Sequence, residues 1–149
     1  MQSQIVRFAM VFGAIAVAFF AGLATGRAQA PAVGWGPAVI HVSQMTPSDF
    51  PPKAPNAFAQ VKVVAANPGS ATAQVQYGAT MKHYHADANE IQYIVECSGM
   101  FWLCDKQVPV GPGDLIIIPK GTAHGMNSTY KAIALKSPPQ APDDIHPVP

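Results

Sequence analysis

Two stretches of this chain constrain its fold more than anything else in it. The first runs from Gly78 to Glu90 and carries His83-Tyr84-His85; the second runs from Gly113 to His124 and carries Pro119-Lys120-Gly121. On a strand successive side chains point to opposite faces, so His83 and His85 project together while Tyr84 faces away. Ala86-Asp87-Ala88-Asn89 has turn composition, and Glu90 opens the strand-like run Ile91-Gln92-Tyr93-Ile94-Val95, which returns a carboxylate beside the two imidazoles. His124, aimed by the turn at Pro119 and Gly121, completes the set. Three neutral imidazoles and one carboxylate suit a divalent transition metal, and an ion that takes five or six ligands keeps positions for water, oxygen or a substrate.

These stretches resemble the two signature motifs of the cupin superfamily. The first motif reads there as Gly, a spacer, His-x-His, three or four residues, Glu, six residues and Gly; the second reads as Gly, five residues, Pro-x-Gly, two residues and His. Gly113 to His124 fits the second without adjustment, and the first fits through Glu90. Three departures stand outside the ligands: four residues rather than five separate Gly78 from His83, Cys97 replaces the glycine expected after Glu90, and Ser128 stands where an asparagine often closes the second motif. The resemblance covers about Phe58 to Leu135. It implies an all-β fold, a single antiparallel barrel or jelly roll, with metal ligands His83, His85, Glu90 and His124. Iron, manganese, copper or nickel is expected ahead of zinc. The reaction is not implied, because the superfamily spans oxygenases, decarboxylases, isomerases, lyases and non-catalytic binders. A homodimer formed through an edge strand or an exchanged N-terminal arm is an expectation from the same resemblance.

The first thirty residues are of another kind. Arg7 precedes an apolar run from Phe8 to Ala24, and Ala28-Gln29-Ala30 is a small-x-small cleavage site. The run is close to the length of a membrane span. Pro31 and a Gly/Pro-rich segment follow at once, however, rather than a basic stop signal, so residues 1–30 read as a secretory signal peptide. The mature protein is then expected to be exported, periplasmic in a Gram-negative source, and free of the membrane. Removing Arg7 and Arg27 leaves seven lysines against eight acidic residues, a net charge of about −1. No basic stripe exists to neutralise phosphates, which argues against nucleic acid and leaves a small molecule as the expected partner.

From Pro31 to Ala57 the chain is rich in Pro and Gly and reads as an arm, with a strand only at Ala38–Val42 and turn chemistry at Thr46–Pro52. Ala59–Val64 alternates, Asn67–Ser70 is a turn, and Ala71–Tyr77 alternates again. Further short strands are expected at Ile91–Cys97, Met100–Cys104, Gln107–Val110, Leu115–Ile118 and Lys131–Leu135, and no helix beyond the leader. That pattern indicates a barrel over residues 58–136, independently of the motifs. Ser137 to Pro149, with five prolines, is expected to be an extended tail. Gly113 and Gly121 read as turn residues that aim His124, and His41 and His146 as surface residues outside the constellation.

Counting by twos from the ligands places Met81, Gln92 and Met126 on the interior face, as candidate pocket residues. A thioether at the metal would tilt the site toward copper. Gln92 is a candidate hydrogen-bond partner for a ligand histidine or for substrate, and Glu90 and Gln92 are the candidates for proton transfer, Glu90 only if it leaves the metal. Cys97 and Cys104 are the only cysteines. A turn at Ser98-Gly99 separates them too far for a disulfide, whereas one centred between Met100 and Phe101 brings them opposite each other. Three readings follow from the metal set: an enzyme of the dioxygenase, decarboxylase or lyase kind acting on a small organic acid or enol-like substrate; a periplasmic metal- or ligand-binding module; and a barrel stapled by its metal. The leader makes the nearest prediction: protein from the native compartment begins at Pro31 by intact mass, and an N-terminus at Met1 contradicts cleavage.

Overall fold

The computed structural model describes residues 34–55 and 57–149; the leader expected at 1–30 lies outside them. Alternating residues form strand β1 (Gln60–Asn67), and the Asn67–Ser70 turn, closed by a 3.0 Å bond from Ser70 N–H to Asn67 O, leads into β2 (Ala71–Tyr84). Then follow β3 (Asn89–Glu96), β4 (Gly99–Leu103), β5 (Lys106–Val110), β6 (Leu115–Ile118), β7 (His124–Ser137) and β8 (His146–Pro147). Every pairing is antiparallel, in the order β1-β2-β7-β3-β6, with β4 bridging β5 and β7 and β8 added to β2. Among the described residues no helix is long and apolar enough to cross a membrane.

The long strand β7 organises the rest. One edge pairs with β2 from Thr72↔Lys136 to His83↔His124; the other pairs first with β4 at residues 124–126 and then with β3 at residues 131–137. Register shifts interrupt these ladders at Gly78/Thr80, Thr80/His83 and Ile94/Glu96. Such bulges bend a ribbon and increase its twist, and here they curl it into a barrel. Interior side chains of β3, β4, β6 and β7 form an apolar core of Ile94, Phe101, Ile116, Ile118, Met126, Tyr130 and Ala132.

Several expectations change. The strand expected at Ala38–Val42 does not form, and a short 3₁₀ turn occupies Val42–Gln44. The described arm packs on its own barrel: Phe50 is buried against Tyr77, and Lys131, ion-paired with Glu96 at 2.6 Å, donates to Met45 O at 2.6 Å. Cys97 and Cys104 are free and exposed at the two ends of β4, with the five-residue strand between them. Cys97 takes φ 68°, the left-handed conformation that explains why the motif expects glycine there. The proline-rich tail is tied down, with Val148 N–H donating to Lys82 O at 2.9 Å and β8 pairing beside His83.

Gly113 and Gly121 do have positive φ, 100° and 78°. A third glycine is needed for space. A Cβ on Gly125 would stand 2.6 Å from Met81 O and 3.0 Å from Thr80 O, both backbone atoms of the neighbouring strand. Gly125→Ala should therefore cost about 2–3 kcal/mol of stability, read as a lower urea midpoint at unchanged m-value; an unaltered midpoint would contradict this packing.

Candidate metal centre

Strand β2 delivers His83 and, just past its end, His85; β3 delivers Glu90 and Gln92; β7 begins with His124. The register sets His83 directly opposite His124 and, on the other edge, Glu90 opposite Lys136. His83, His85, Glu90, Gln92 and His124 are all buried, with 5% exposure at most. One ring nitrogen from each histidine lies within 4.8 Å of the others. Glu90 Oε2 stands 3.1 Å from His85 Nε2 and 3.2 Å from His124 Nε2. The three histidines expected to act as metal ligands are thus gathered, with Glu90 against two of them.

The orientation of each ring is set by the backbone. His83 Nδ1 contacts Met81 O at 2.7 Å, His124 Nδ1 contacts Thr122 O at 2.9 Å, and His85 Nδ1 contacts Asp144 O. A carbonyl can only accept, so each Nδ1 carries the proton and each neutral ring keeps its lone pair on Nε2. Two of these lone pairs then face a carboxylate oxygen at hydrogen-bond distance. Acceptor against acceptor is repulsive in a buried site unless positive charge lies among them, as protons on the rings or as a cation held in common. Burial raises the Glu90 carboxyl, but His124, His85 and then Lys136 outweigh it and hold the group well below its ordinary value, so it is an anion. The donor set fits a divalent ion bound by neutral imidazoles and a carboxylate.

Gln92 lies where alternation expects it, but its partners differ. Its Nε2 donates to Glu90 Oε1 at 2.9 Å, and its Oε1 accepts from Tyr130 O–H at 3.3 Å. Tyr130 in turn accepts from Gln76 Nε2 at 2.8 Å. The amide therefore orients the carboxylate rather than a histidine. Burial pushes the Tyr130 phenol up, which keeps it protonated as a donor.

Of the two candidate pocket methionines, Met81 lines the cavity and Met126 does not. The register shift between Thr80 and His83 breaks the count by twos: Thr80 and His83 both point inward, while Met81 is 54% exposed at the cavity rim. Met126 does point inward, but into the apolar core and away from the cavity. Neither thioether joins the cluster of histidines. His146, exposed in part, stacks on Tyr84 with ring centroids 4.8 Å apart.

Two residues escaped the sequence reading. Asp144, in the tail, accepts from the N–H groups of Ala86, Asp87 and Ala88 at 2.6, 3.2 and 3.1 Å, closing the loop between His85 and Glu90. Burial alone raises its carboxyl, but those donors hold it below the ordinary value. Lys136 is 5% exposed, with Nζ 3.2 Å from His85 Nε2 and 3.6 Å from Glu90 Oε2. A cavity of about 1400 Å³ adjoins the cluster and is lined by His83, Glu90, Gln92 and Lys136, by Gln74, Gln76 and Thr80, and by Phe58, Val61 and Val63.

The family model described as "Cupin domain" matches residues 67–136, which takes in both histidine stretches and Glu90. Over those residues the barrel matches a cupin domain. Solved structures with a similar fold include a Streptomyces PAC13 variant with uridine, at 20% identity over 70% of this chain and 88% of that one, TM-score 0.58. The polyketide cyclase RemF from Streptomyces resistomycificus shares 20% identity over 70% of this chain and 84% of its own, TM-score 0.54. Pac13 is described as a nucleoside dehydratase, at 21% identity over 61% of this chain and 78% of that one, TM-score 0.55. Among curated proteins none matches the chain. These likenesses concern the fold.

Burial, and next the His124 imidazole, push His83 down to about 4 from 6.5. The ring is neutral in the folded state, so the unfolded chain binds more protons between pH 6.5 and 4. Stability from this ring is fully present above pH 6.5 and is lost as pH falls through the window. In metal-free protein His83 should account for a drop of about 3 kcal/mol between those limits. His83→Gln should flatten that part of the urea-measured profile; an unchanged slope would show that the ring is not held neutral.

Proposed function

We propose that the chain is an exported, metal-dependent cupin enzyme of the dioxygenase, decarboxylase or lyase kind, with His83, His85, Glu90 and His124 as ligands and a small organic acid or enol-like compound as substrate. One observation carries the reading. Three imidazoles whose Nδ1 atoms are held by backbone carbonyls gather around one centre, two of them against the buried Glu90 carboxylate, and two members of that cluster, His83 and Glu90, form part of the wall of a cavity. A centre meant only to staple the barrel would gain nothing from facing a cavity. The same fold serves a nucleoside dehydratase and a polyketide cyclase, so it accommodates catalysis without selecting the reaction.

A bound divalent ion supplies Lewis acidity at a substrate oxygen and, as iron, manganese, copper or nickel, a redox couple. The side chains do the rest. Gln92 holds Glu90 by Oε1, which leaves Oε2 directed at the histidines. Should Oε2 be released, Glu90 is the base within reach of a substrate proton, whereas the Gln92 amide has no proton to exchange at neutral pH and serves to position it. Phe58, Val61 and Val63 give the cavity apolar wall, which excludes water and orients a bound carbon skeleton.

Elemental analysis of untagged protein from its native compartment, followed by electron paramagnetic resonance with and without azide, tests the reading. About one equivalent of a redox-capable metal with an azide-sensitive spectrum is expected. Zinc in a closed, inert site would move the assignment to a binding protein. His85→Ala should lose most of the metal while remaining folded, and a full complement in that variant would refute the ligand set.

A further inference from the structure

Lys136 is a cation buried inside the barrel, at the far end of β7 from His124. Its ammonium contacts His85 Nε2 at 3.2 Å and Glu90 Oε2 at 3.6 Å and donates to Gln140 Oε1, while its side chain lines the cavity. Two consequences follow from charge and valence. The lone pair on His85 Nε2 can serve Lys136 or a metal, not both, so loading the site releases one ammonium N–H. Without metal, Glu90 and Lys136 balance each other. With a divalent ion added, the neutral rings contribute nothing and the centre carries an excess of two positive charges. The nearest other carboxylate, Asp144, is occupied by the three N–H groups of the loop behind His85. A buried excess of that size demands an anion.

On that basis, and resting on the metal reading above, we infer that Lys136 is the receptor for an anionic group of the substrate: in the loaded protein its ammonium leaves His85 and binds a carboxylate held beside the metal. The placement is suitable on geometric grounds. β7 brings the ammonium to the same face as Glu90, and Gln74 and Gln76 line the cavity beyond it as donors and acceptors for further oxygens of the ligand. Lys136 is accordingly a binding and specificity residue, selecting organic acids over their neutral analogues.

Cobalt(II)-loaded protein provides the test, with acetate as the probe and acetamide as its neutral counterpart at constant ionic strength. Acetate should perturb the visible cobalt spectrum of wild type and acetamide should not. In Lys136→Met and Lys136→Gln the acetate concentration at half-saturation should rise about tenfold or more, while cobalt uptake remains complete and at least as tight, because a competing cation is gone. Two variants are made so that one folded, cobalt-loaded protein suffices. Acetate affinity equal to wild type in either loaded variant, or no acetate response in wild type, would overturn the role of Lys136. Failure of wild type to take up cobalt appears before any acetate is added, and would instead remove the metal reading beneath it.

Discussion

Glu90 lies where the two ends of a single strand meet. Fourteen residues of extended chain span about 45 Å, yet β7 brings His124 from its first position and Lys136 from near its last to within 4 Å of the same carboxylate oxygen. The ribbon must curl through the barrel for this to happen. Its register shifts beside Gly78, Thr80 and Ile94 are the places where the pleat yields. The short loop from His85 to Glu90 can connect β2 to β3 only because closure has brought opposite ends of β7 together. The centre is therefore a product of barrel closure, and a change that relaxes the curl separates its parts.

Once closed, the cluster is governed by the placement of protons and lone pairs. Three carbonyls, from Met81, Thr122 and Asp144, fix the tautomers. Backbone groups do this with no carboxylate of their own, so the side chains that bring formal charge to a loaded centre are Glu90 and Lys136. The same low dielectric that depresses the His83 imidazole makes each of those charges count. An ion placed there changes the balance of the whole cavity wall, which links metal loading to the kind of ligand the cavity accepts.

Legibility in the sequence followed the range of the interactions. The convergence of the three histidines and Glu90 was readable because His-x-His, a tight turn and the Pro119–Gly121 turn are local, and each aims its side chain through a few residues of backbone. Most strands were readable for the same reason, since alternation is a property of one strand on one face. Met81 lines the cavity but is not buried on the interior face, because parity persists only while the pleat is unbroken, and the irregularity before His83 depends on how β2 meets β7. Ala38–Val42 had the residues of a strand but pairs with no strand of the sheet. Cys97 shows the opposite case: its position in the motif already marked a backbone site that favours glycine, and its φ of 68° is that conformation.

From the chain alone came the fold class, the three histidines and the carboxylate and their approach to one centre, because these rest on periodicity and on turns a few residues long. Tertiary structure decided what surrounds that centre. Asp144 and Lys136 lie far along the chain from His85, and nothing near them in sequence marks a partner; their roles exist only because β8 and the tail return to β2 and because β7 curls back on itself. A lysine near the end of an alternating strand reads as solvated until closure turns it inward, where the energy of an unbalanced buried charge gives it a task.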